Sequence, residues 1–514
     1  MTPGKPPCAV SYLCLVHVGC TTQRWGEGCR LHVTDFYGLD RTQAEVDFVD
    51  VDVSTDNRIF IDPRAIRLQQ GELQEGCVAC LVSFFTEILD AIRLNRPAKV
   101  RELMRHLGEP NETHLGFSRG RSRGRGLRGT KTDVIADAIS ASRAAQTGLL
   151  RDLEDTAFLV PGVDKDLLSD MTTQIIRGPL IEYTQQCCVQ YEIPMEAQYG
   201  GSVWDPNSLE WEDHYDVSLP RTEDGALLLI PKSIVRHAPI LDNDKYFNGY
   251  LAPYLEDEEV RAHSQLVSLL KNGTAKVNRT KLREKYGSTK DSVVDQTIRL
   301  DKKPLQRYRD VAGKITAPPM VNEDIADTVG SPQVNFLEAY GKVAAIRPGP
   351  EGATLYHRAV FDLLSAAFYP PLANFKKEDK IHDGRKRIDI TCDNVASVGF
   401  FDWANRGYHC PIISIECKNY DHDPANPELD QLSGRFSDQR GSIGLLICRR
   451  FKDKALFLER CRDTSRDRRG FVIALDDNDL KTLAEEAAKL QYETRRDKRF
   501  AFPLLRERFD LLVK

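Results

Sequence analysis

Residues 411–420 read PIISIECKNY, and this stretch decides how the C-terminal third of the chain is interpreted. Its apolar run predicts a buried strand with Glu416 and Lys418 near its end. Because the two residues are two positions apart on a strand, their side chains leave the same face. Charged side chains are rarely buried without a partner. An acid and a base at the end of an apolar strand therefore indicate either a functional site or a buried ion pair of an ordinary α/β domain.

A second stretch, GRKRIDITCDN (384–394), predicts a basic turn followed by a strand that carries Asp389. If this strand neighbours the first, two carboxylates and an ammonium group meet at one place. Two carboxylates are the usual means of holding Mg²⁺, which prefers oxygen ligands. Such a metal makes bound water more acidic, and Lys418 would orient that water or offset charge in the transition state. The spacing predicts a site for phosphodiester hydrolysis.

The sequence around these two strands alternates between helical and strand patterns. LYHRAVFDLLSAAF (355–368) predicts an amphipathic helix, and LDQLSGRFS (429–437) begins another. Further strands are predicted at 442–450 and 470–477, each followed by a helix. The order helix, strand, loop, strand, helix, strand, helix, strand, helix predicts an α/β fold.

Asp389, followed after a strand and a turn by Glu416-Cys417-Lys418, resembles the motif of the PD-(D/E)xK nucleases, the restriction-endonuclease-like superfamily. The resemblance covers about residues 335–485. It implies a mixed sheet flanked by helices and metal-dependent cleavage of DNA. By the same resemblance, Asp389 and Glu416 bind Mg²⁺, or Mn²⁺ in its place, and Lys418 is catalytic. The backbone carbonyl of Cys417 is a further candidate ligand.

Two neighbouring positions extend the comparison with this family. Some members carry a glutamine on the helix after the motif, and Gln431 matches it, so we count it with the catalytic residues. It either orients the site, touches DNA or is a surface amide. Many relatives carry a glutamate on the first helix, where this chain has His357, with Glu351 just before it. This departure leaves the number of metal ions open.

Basic residues near the motif and in the N-terminal part are candidates for nucleic-acid contacts. In SRGRSRGRGLRGTKT (118–132), glycines allow a close approach and arginines can grip phosphates with two hydrogen bonds. A solvated loop is an equally supported alternative for this stretch. The predicted nucleic-acid-binding residues are Arg385, Lys386, Arg387, Arg435, Arg119, Arg121, Arg123, Arg125 and Arg128.

The 514 residues predict two to four domains at about 150 residues each. We expect a mixed α+β region with a sensing or substrate-handling role at 1–330, either as one unit or as two subdomains divided near residue 200. The nuclease would occupy 335–485 and a helical tail 486–514, after a linker at 312–333. The net charge of −5 requires any nucleic-acid surface to be a local patch. The stretch AEVDFVDVDV (44–53) predicts a strand with its aspartates facing solvent.

Several expectations concern location and partners. The sequence holds no apolar run long enough to span a membrane, and its thirteen cysteines are scattered, so we expect a cytoplasmic protein without a membrane partner. The resemblance implies DNA as substrate and a role as an effector of prokaryotic antiphage defence. A phage-derived trigger, a second defence subunit or a second copy of the chain would be further partners. The alternatives are an RNA-cleaving nuclease and a non-catalytic DNA-binding or scaffold protein of the same fold.

Overall fold

The computed structural model describes residues 31–69, 71–116, 130–214, 216–272, 274–314, 319–381, 386–491 and 501–513. These ranges form a mixed α/β structure in which the C-terminal part contains a five-stranded sheet flanked by helices. Within the described ranges, no helix is both long enough and apolar enough to cross a membrane.

The part before residue 330 is mainly helical and carries short two-stranded antiparallel ladders. Its helices are α1 (Val33–Phe36), α2 (Pro63–Arg67), α3 (Glu72–Arg93), α4 (Pro97–Met104), α5 (Thr130–Ala141), α6 (Arg143–Gln146), α7 (Thr156–Leu159), α8 (Lys165–Ile175), α9 (Arg177–Tyr191), α10 (Asn243–Tyr246), α11 (Ala252–Arg261), α12 (Arg279–Tyr286), α13 (Lys290–Arg299), α14 (Lys303–Lys314) and α15 (Asn322–Val329). Its strands are β1 (Phe60–Ile61), β2 (Glu196–Gln198), β3 (Gly201–Asp205), β4 (Glu210–His214), β5 (Val217–Leu219), β6 (Arg221–Thr222), β7 (Gly225–Ala226), β8 (Val235–Arg236), β9 (Val267–Leu269) and β10 (Ala275–Val277).

Helix α3 is a long central element of this N-terminal part. It buries Cys77, Leu81, Phe84 and Ile88. Their spacing of three and four residues places them on one face of the helix. Acidic residues in its first turn interact favourably with the positive end of the helix dipole.

The aspartate-rich stretch 44–53 is a correction to the sequence analysis. It forms no regular strand, and Asp47, Asp50 and Asp52 are buried instead of facing solvent. Donors satisfy two of these carboxylates. The Thr34 backbone N–H and hydroxyl donate to Asp50 at 2.9 and 2.8 Å, and the Ser54 backbone N–H and hydroxyl donate to Asp52 at 3.0 and 2.6 Å. Among the described residues, Asp47 Oδ1 has no hydrogen-bond partner. Such donors are distant in sequence or irregular in spacing, so an alternating pattern could not reveal them.

The C-terminal part contains the sheet that carries the candidate site. Its strands are β11 (Leu372–Ile381), β12 (Lys386–Asn394), β13 (Ile412–Lys418), β14 (Ile443–Cys448) and β15 (Phe471–Leu475), in the order β11-β12-β13-β14-β15. The pairs β11–β12 and β12–β13 are antiparallel, whereas β13–β14 and β14–β15 are parallel. The sheet is therefore mixed. Its helices are α16 (Phe336–Ala345), α17 (Ala353–Phe368), α18 (Gly399–Tyr408), α19 (Asn426–Ser433), α20 (Lys454–Arg466), α21 (Asp477–Leu490) and α22 (Pro503–Val513).

Four of these strands and four of these helices lie where the sequence predicted them, namely β12 to β15, α17 and α19 to α21. The predicted loop between β12 and β13 contains helix α18, and strand β11 was not predicted. The expected linker at 312–333 contains α15, whose Ile325 and Val329 are buried, so this portion is packed. Helix α22 of the tail packs on the sheet domain through Phe509, whose ring lies 4.9 Å from that of Phe471.

The N-terminal part packs directly on helix α17 and its surroundings. Arg41 forms a salt bridge with Asp362 of α17 at 3.0 Å. The Tyr369 hydroxyl, just after α17, donates to the Lys232 carbonyl at 3.0 Å. Helix α17 also contacts strands β11 and β13. It is therefore one of the elements that connect the N-terminal part to the sheet that carries the candidate site.

Candidate active site

The register between β12 and β13 brings the two predicted acids together. Ile390 lies opposite Ile415, so the next position places Asp389 opposite Glu416 on the same face of the sheet. The backbone N–H of Cys417 donates to Asp389 Oδ2 at 2.9 Å. One oxygen of Asp389 is thus fixed by the neighbouring strand, which holds the carboxylate at the end of β13.

Lys418 and Gln431 converge on one oxygen of Glu416. The Lys418 Nζ donates to Glu416 Oε2 at 3.3 Å and to Gln431 Oε1 at 3.2 Å. The Gln431 Nε2 donates to the same Glu416 Oε2 at 2.9 Å. Three side chains from β13 and α19 therefore form a closed triangle of hydrogen bonds. The predicted set Asp389, Glu416, Lys418 and Gln431 is assembled in one place.

The second oxygen of Glu416 is in a different situation. Glu416 is fully buried, and among the described residues its Oε1 has no hydrogen-bond partner. Arg435 approaches this oxygen, with its Nε 4.0 Å away, while its Nη2 donates to the Arg387 carbonyl at 2.9 Å. A buried carboxylate oxygen without a donor is costly. This oxygen is available to a ligand that supplies positive charge.

Burial and repulsion shift the titration of these groups. Burial, followed by the nearby Asp389 carboxylate, raises the pKa of Glu416 to about 7, against the opposing effect of Lys418. Although burial favours its neutral form, the Glu416 and Asp389 carboxylates raise the pKa of the Lys418 ammonium. The lysine thus stays charged near neutral pH, whereas the glutamate is poised to exchange a proton. Strongly shifted groups that meet at one place are typical of functional sites.

His357 stands where the resemblance expects a glutamate on the first helix. Burial lowers the pKa of its imidazole, and Asp389 opposes that effect. The Cys417 backbone also opposes the effect of burial, and both residues line the same cavity. An imidazole therefore lies close to the residue whose carbonyl is predicted as a metal ligand. Neither this proximity nor the position of Arg435 beside Glu416 was foreseen from the sequence.

The donor set fits a hard cation such as Mg²⁺. Asp389 and Glu416 offer carboxylate oxygens, of which Glu416 Oε1 lacks a partner among the described residues. The Cys417 thiol is buried with its pKa raised well above the usual range, so it stays protonated and leaves the carbonyl as that residue's donor. In the described part of the chain, no three His, Cys, Asp or Glu side chains cluster as a complete metal site. Mg²⁺ suits such a sparse set because it keeps several waters.

A match with a known family covers part of the chain outside this site. Residues 38–242 match the model of a domain of unknown function, DUF8370. The DUF8370 match includes Arg41 and helix α3 but none of the residues from Asp389 to Gln431. Neither a curated protein nor a solved structure matches the chain.

The residues predicted to contact nucleic acid differ in where the structure places them. Arg387 is exposed beside the site and pairs with Glu378 at 3.3 Å. The Arg435 side chain is only 11% exposed and points toward Glu416, so it lies within the site and not on an open surface. Lys386 begins β12. Five arginines of the 118–132 stretch and one of the basic turn lie outside the described residues: Arg119, Arg121, Arg123, Arg125, Arg128 and Arg385.

Proposed function

We propose that the C-terminal part of this chain is a Mg²⁺-dependent endonuclease that hydrolyses phosphodiester bonds in DNA. The observation that carries the proposal is the meeting of Asp389, Glu416, Lys418 and Gln431 at the ends of β12 and β13, with Glu416 Oε1 unpartnered among the described residues. The mixed five-stranded sheet with flanking helices supports the proposal because the PD-(D/E)xK resemblance implies such a sheet.

Each residue has a role that follows from its surroundings. Mg²⁺ held by Asp389, Glu416 and the Cys417 carbonyl would supply a Lewis acid that makes water more acidic and offsets charge on the phosphate. Lys418 remains an ammonium with three donors, two of which bond to Glu416 and Gln431. The third can be directed at a phosphate oxygen or at the attacking water, which stabilises the charge that develops there.

The surroundings of Asp389, Glu416 and Lys418 favour an anionic polymer as the substrate. Arg387 is exposed on β12 next to Asp389, and Lys386 precedes it in the chain. Basic residues that flank a hydrolytic site position a phosphate backbone without reading its sequence. The combination of such a site with a large companion region supports an effector role in antiphage defence as part of the same proposal.

A second candidate is a DNA-binding protein that does not cut. The observation that favours it is His357, an imidazole whose pKa is lowered by burial, at the position where the resemblance expects a carboxylate. With a neutral imidazole there, the site offers a cation one carboxylate fewer. The protein would then grip DNA through Arg387 and its neighbours without hydrolysing it.

Cleavage of a supercoiled plasmid by the purified full chain tests both candidates. We expect nicking and linearisation with Mg²⁺ or Mn²⁺, none with EDTA, and loss of cutting in Lys418→Ala and Asp389→Ala. Lys481→Ala is a matched control, because that lysine is 55% exposed on α21 and outside the site. Linear DNA, single-stranded DNA and RNA are assayed in parallel. Cutting by the Lys418→Ala and Asp389→Ala variants at the wild-type rate would refute the assignment of the site.

A further inference from the structure

A cavity of about 380 Å³ opens directly beside Lys418. It lies between the start of helix α17 and the residues that follow strand β13. Its lining includes His357, Lys418, Tyr420, Asp421 and His422. The volume falls within the roughly 300–1,000 Å³ of small-ligand pockets. The cavity lies at the same end of the sheet as Asp389, Glu416 and Lys418. Of these three residues, only Lys418 lines it.

The most distinctive feature of this cavity is a pair of stacked rings. The Tyr420 and His422 rings lie with centroids 4.8 Å apart and planes only 9° from parallel. Tyr420 is half-buried, whereas His422 is 67% exposed. Because each ring covers one face of the other, an unpaired nucleobase would extend this stack on an outer face, as bases do on aromatic side chains.

The position of the rings relative to Lys418 is equally important. Tyr420 follows Lys418 by two residues, so the two backbone positions are at most about 7 Å apart. A base on the rings would therefore belong to a nucleotide whose phosphate reaches the Lys418 ammonium. The one acidic side chain of the lining, Asp421, accepts a hydrogen bond from His422 Nδ1 at 2.9 Å, which ties it to the platform.

We propose that this cavity binds one unpaired nucleobase next to the bond to be cut, with Tyr420 and His422 as its stacking platform. This inference rests on the proposed nuclease function and adds a substrate class to it: single-stranded or locally unpaired DNA. A base in a duplex is stacked and paired on both sides, so it reaches such a cavity only after it leaves the helix. The preference does not depend on sequence, because every base has a flat face.

Fluorescence of 2-aminopurine provides a direct test that does not depend on cleavage, because stacking on an aromatic ring quenches it. The full chain carrying Asp389→Asn is mixed with Mg²⁺ and single-stranded DNA in which one base is 2-aminopurine, placed in turn at each position. We expect quenching on binding at one or two positions and little change with the matching duplex. The same strand made as RNA shows whether the sugar contributes.

Two sets of variants separate stacking from a loss of folding. Tyr420→Leu and His422→Ala should abolish the quenching and weaken binding of the single strand by about tenfold or more, since stacking dominates such contacts. Tyr420→Phe keeps the ring and should behave like the parent. Tyr199→Leu replaces a 51% exposed tyrosine in the N-terminal part and is the matched control.

The outcomes distinguish the base site from the nuclease activity. Quenching that persists in the combined Tyr420→Leu and His422→Ala variant, or that never occurs at any position, overturns the base site even if the plasmid is cut. Quenching that needs Tyr420 in a chain that cuts no DNA or RNA supports the base site and points to the non-cutting candidate. Equal quenching with duplex and single strand overturns the preference for unpaired DNA.

Discussion

Arg41 and Asp362 join the N-terminal part of the chain to the helix above the candidate site through a two-pronged salt bridge. The Arg41 Nη2 lies 3.0 and 3.1 Å from the two carboxylate oxygens of Asp362, and Nε lies 3.3 Å from one of them. Arg41 is only 6% exposed. Asp362 and His357 both lie on α17. The salt bridge therefore helps to hold α17, and with it His357, in place against the sheet.

Removing one partner of this salt bridge should destabilise the protein strongly. Arg41→Met leaves the Asp362 carboxylate partly buried without its cation, which we expect to lower the free energy of unfolding by about 3 kcal/mol. The double variant Arg41→Met with Asp362→Leu should recover most of that loss. Urea unfolding at pH 7 measures both. Arg466→Met is the control. Arg466 is 72% exposed and pairs with Asp463 three residues earlier on the same helix. Its replacement should change the free energy of unfolding little, because such surface pairs contribute little.

Gln431 should act by positioning Lys418. Its amide joins Lys418 to Glu416, so Gln431→Ala frees the ammonium to rotate away from the reacting phosphate. We expect kcat to fall about 10- to 100-fold while KM stays within about twofold. The neighbouring substitution Asp430→Ala removes a surface pair with Arg469 and should leave kcat unchanged. A rise in KM with an unchanged kcat would instead assign Gln431 to DNA binding.

Metal binding can be separated from catalysis by thermal unfolding. At tenfold excess over its Kd, Mg²⁺ should stabilise the wild type by about 1.4 kcal/mol. This is about 1 °C in Tm for a chain of 514 residues that unfolds as one unit. Glu416→Gln and Asp389→Asn each remove a charged ligand and should lose this shift. Lys418→Met should keep it although it cannot cut, because the lysine is not a ligand. Loss of the shift in Lys418→Met as well would contradict this division of roles.

The parts of the fold that the sequence predicted are those with strong local patterns. Strand β13 is a continuous apolar run, and α17 and α21 have clear helical spacing, so their types and limits were close to the observed ones. Strand β11 escaped prediction because LANFKKEDKI is rich in charge, as suits an edge strand. Asn374 and Glu378 within it also adopt positive φ values, which interrupt the alternation of its side chains.

For the candidate site, the sequence predicted which residues meet better than it predicted the contacts around them. The spacing located Asp389, Glu416 and Lys418, because opposite positions of neighbouring strands must meet. The approach of Arg435 to Glu416 and the proximity of His357 to Cys417 depend on how α17 and α19 pack. No local pattern encodes such packing. The buried aspartates of 44–53 were misjudged for the same reason, since Asp50 relies on Thr34 sixteen residues away.

Asp393 should make the stability of the protein depend on pH. Its carboxyl accepts a hydrogen bond from Asn374 at 2.7 Å and lies against Gly71 at the start of α3. Burial raises its pKa from 3.8 to about 6; the bond from Asn374 and the charge of Lys376 oppose the shift, and Asp379 adds to it. The folded state therefore binds more protons than the unfolded state between about pH 4 and pH 6, so stability falls as pH rises through that window.

Asp393→Asn removes this titration while it keeps an oxygen for Asn374. We expect a flatter stability curve, and at pH 7 a variant more stable than the wild type by about 1–3 kcal/mol. Urea unfolding at half-unit steps from pH 4.5 to pH 8 gives both curves. If the wild type were instead more stable than the variant at pH 7, the carboxylate would be favoured by its surroundings and the direction of the shift would be wrong.

The tail helix α22 should be an integral part of the sheet domain through Phe509. Its ring lies 5.1 Å from Trp403, 4.9 Å from Tyr408 and 4.9 Å from Phe471, and its side chain is fully buried. Phe509→Ala removes these contacts and leaves a cavity, which should cost about 3–5 kcal/mol. Val513→Ala, at a position 49% exposed on the same helix, should cost less than about 0.5 kcal/mol. If both variants unfolded at the wild-type urea concentration, the tail would not contribute to the fold, and a chain ending at residue 491 should then retain full stability. We expect the opposite, because the aromatic cluster closes the sheet domain beside β15 and loses its central ring without Phe509.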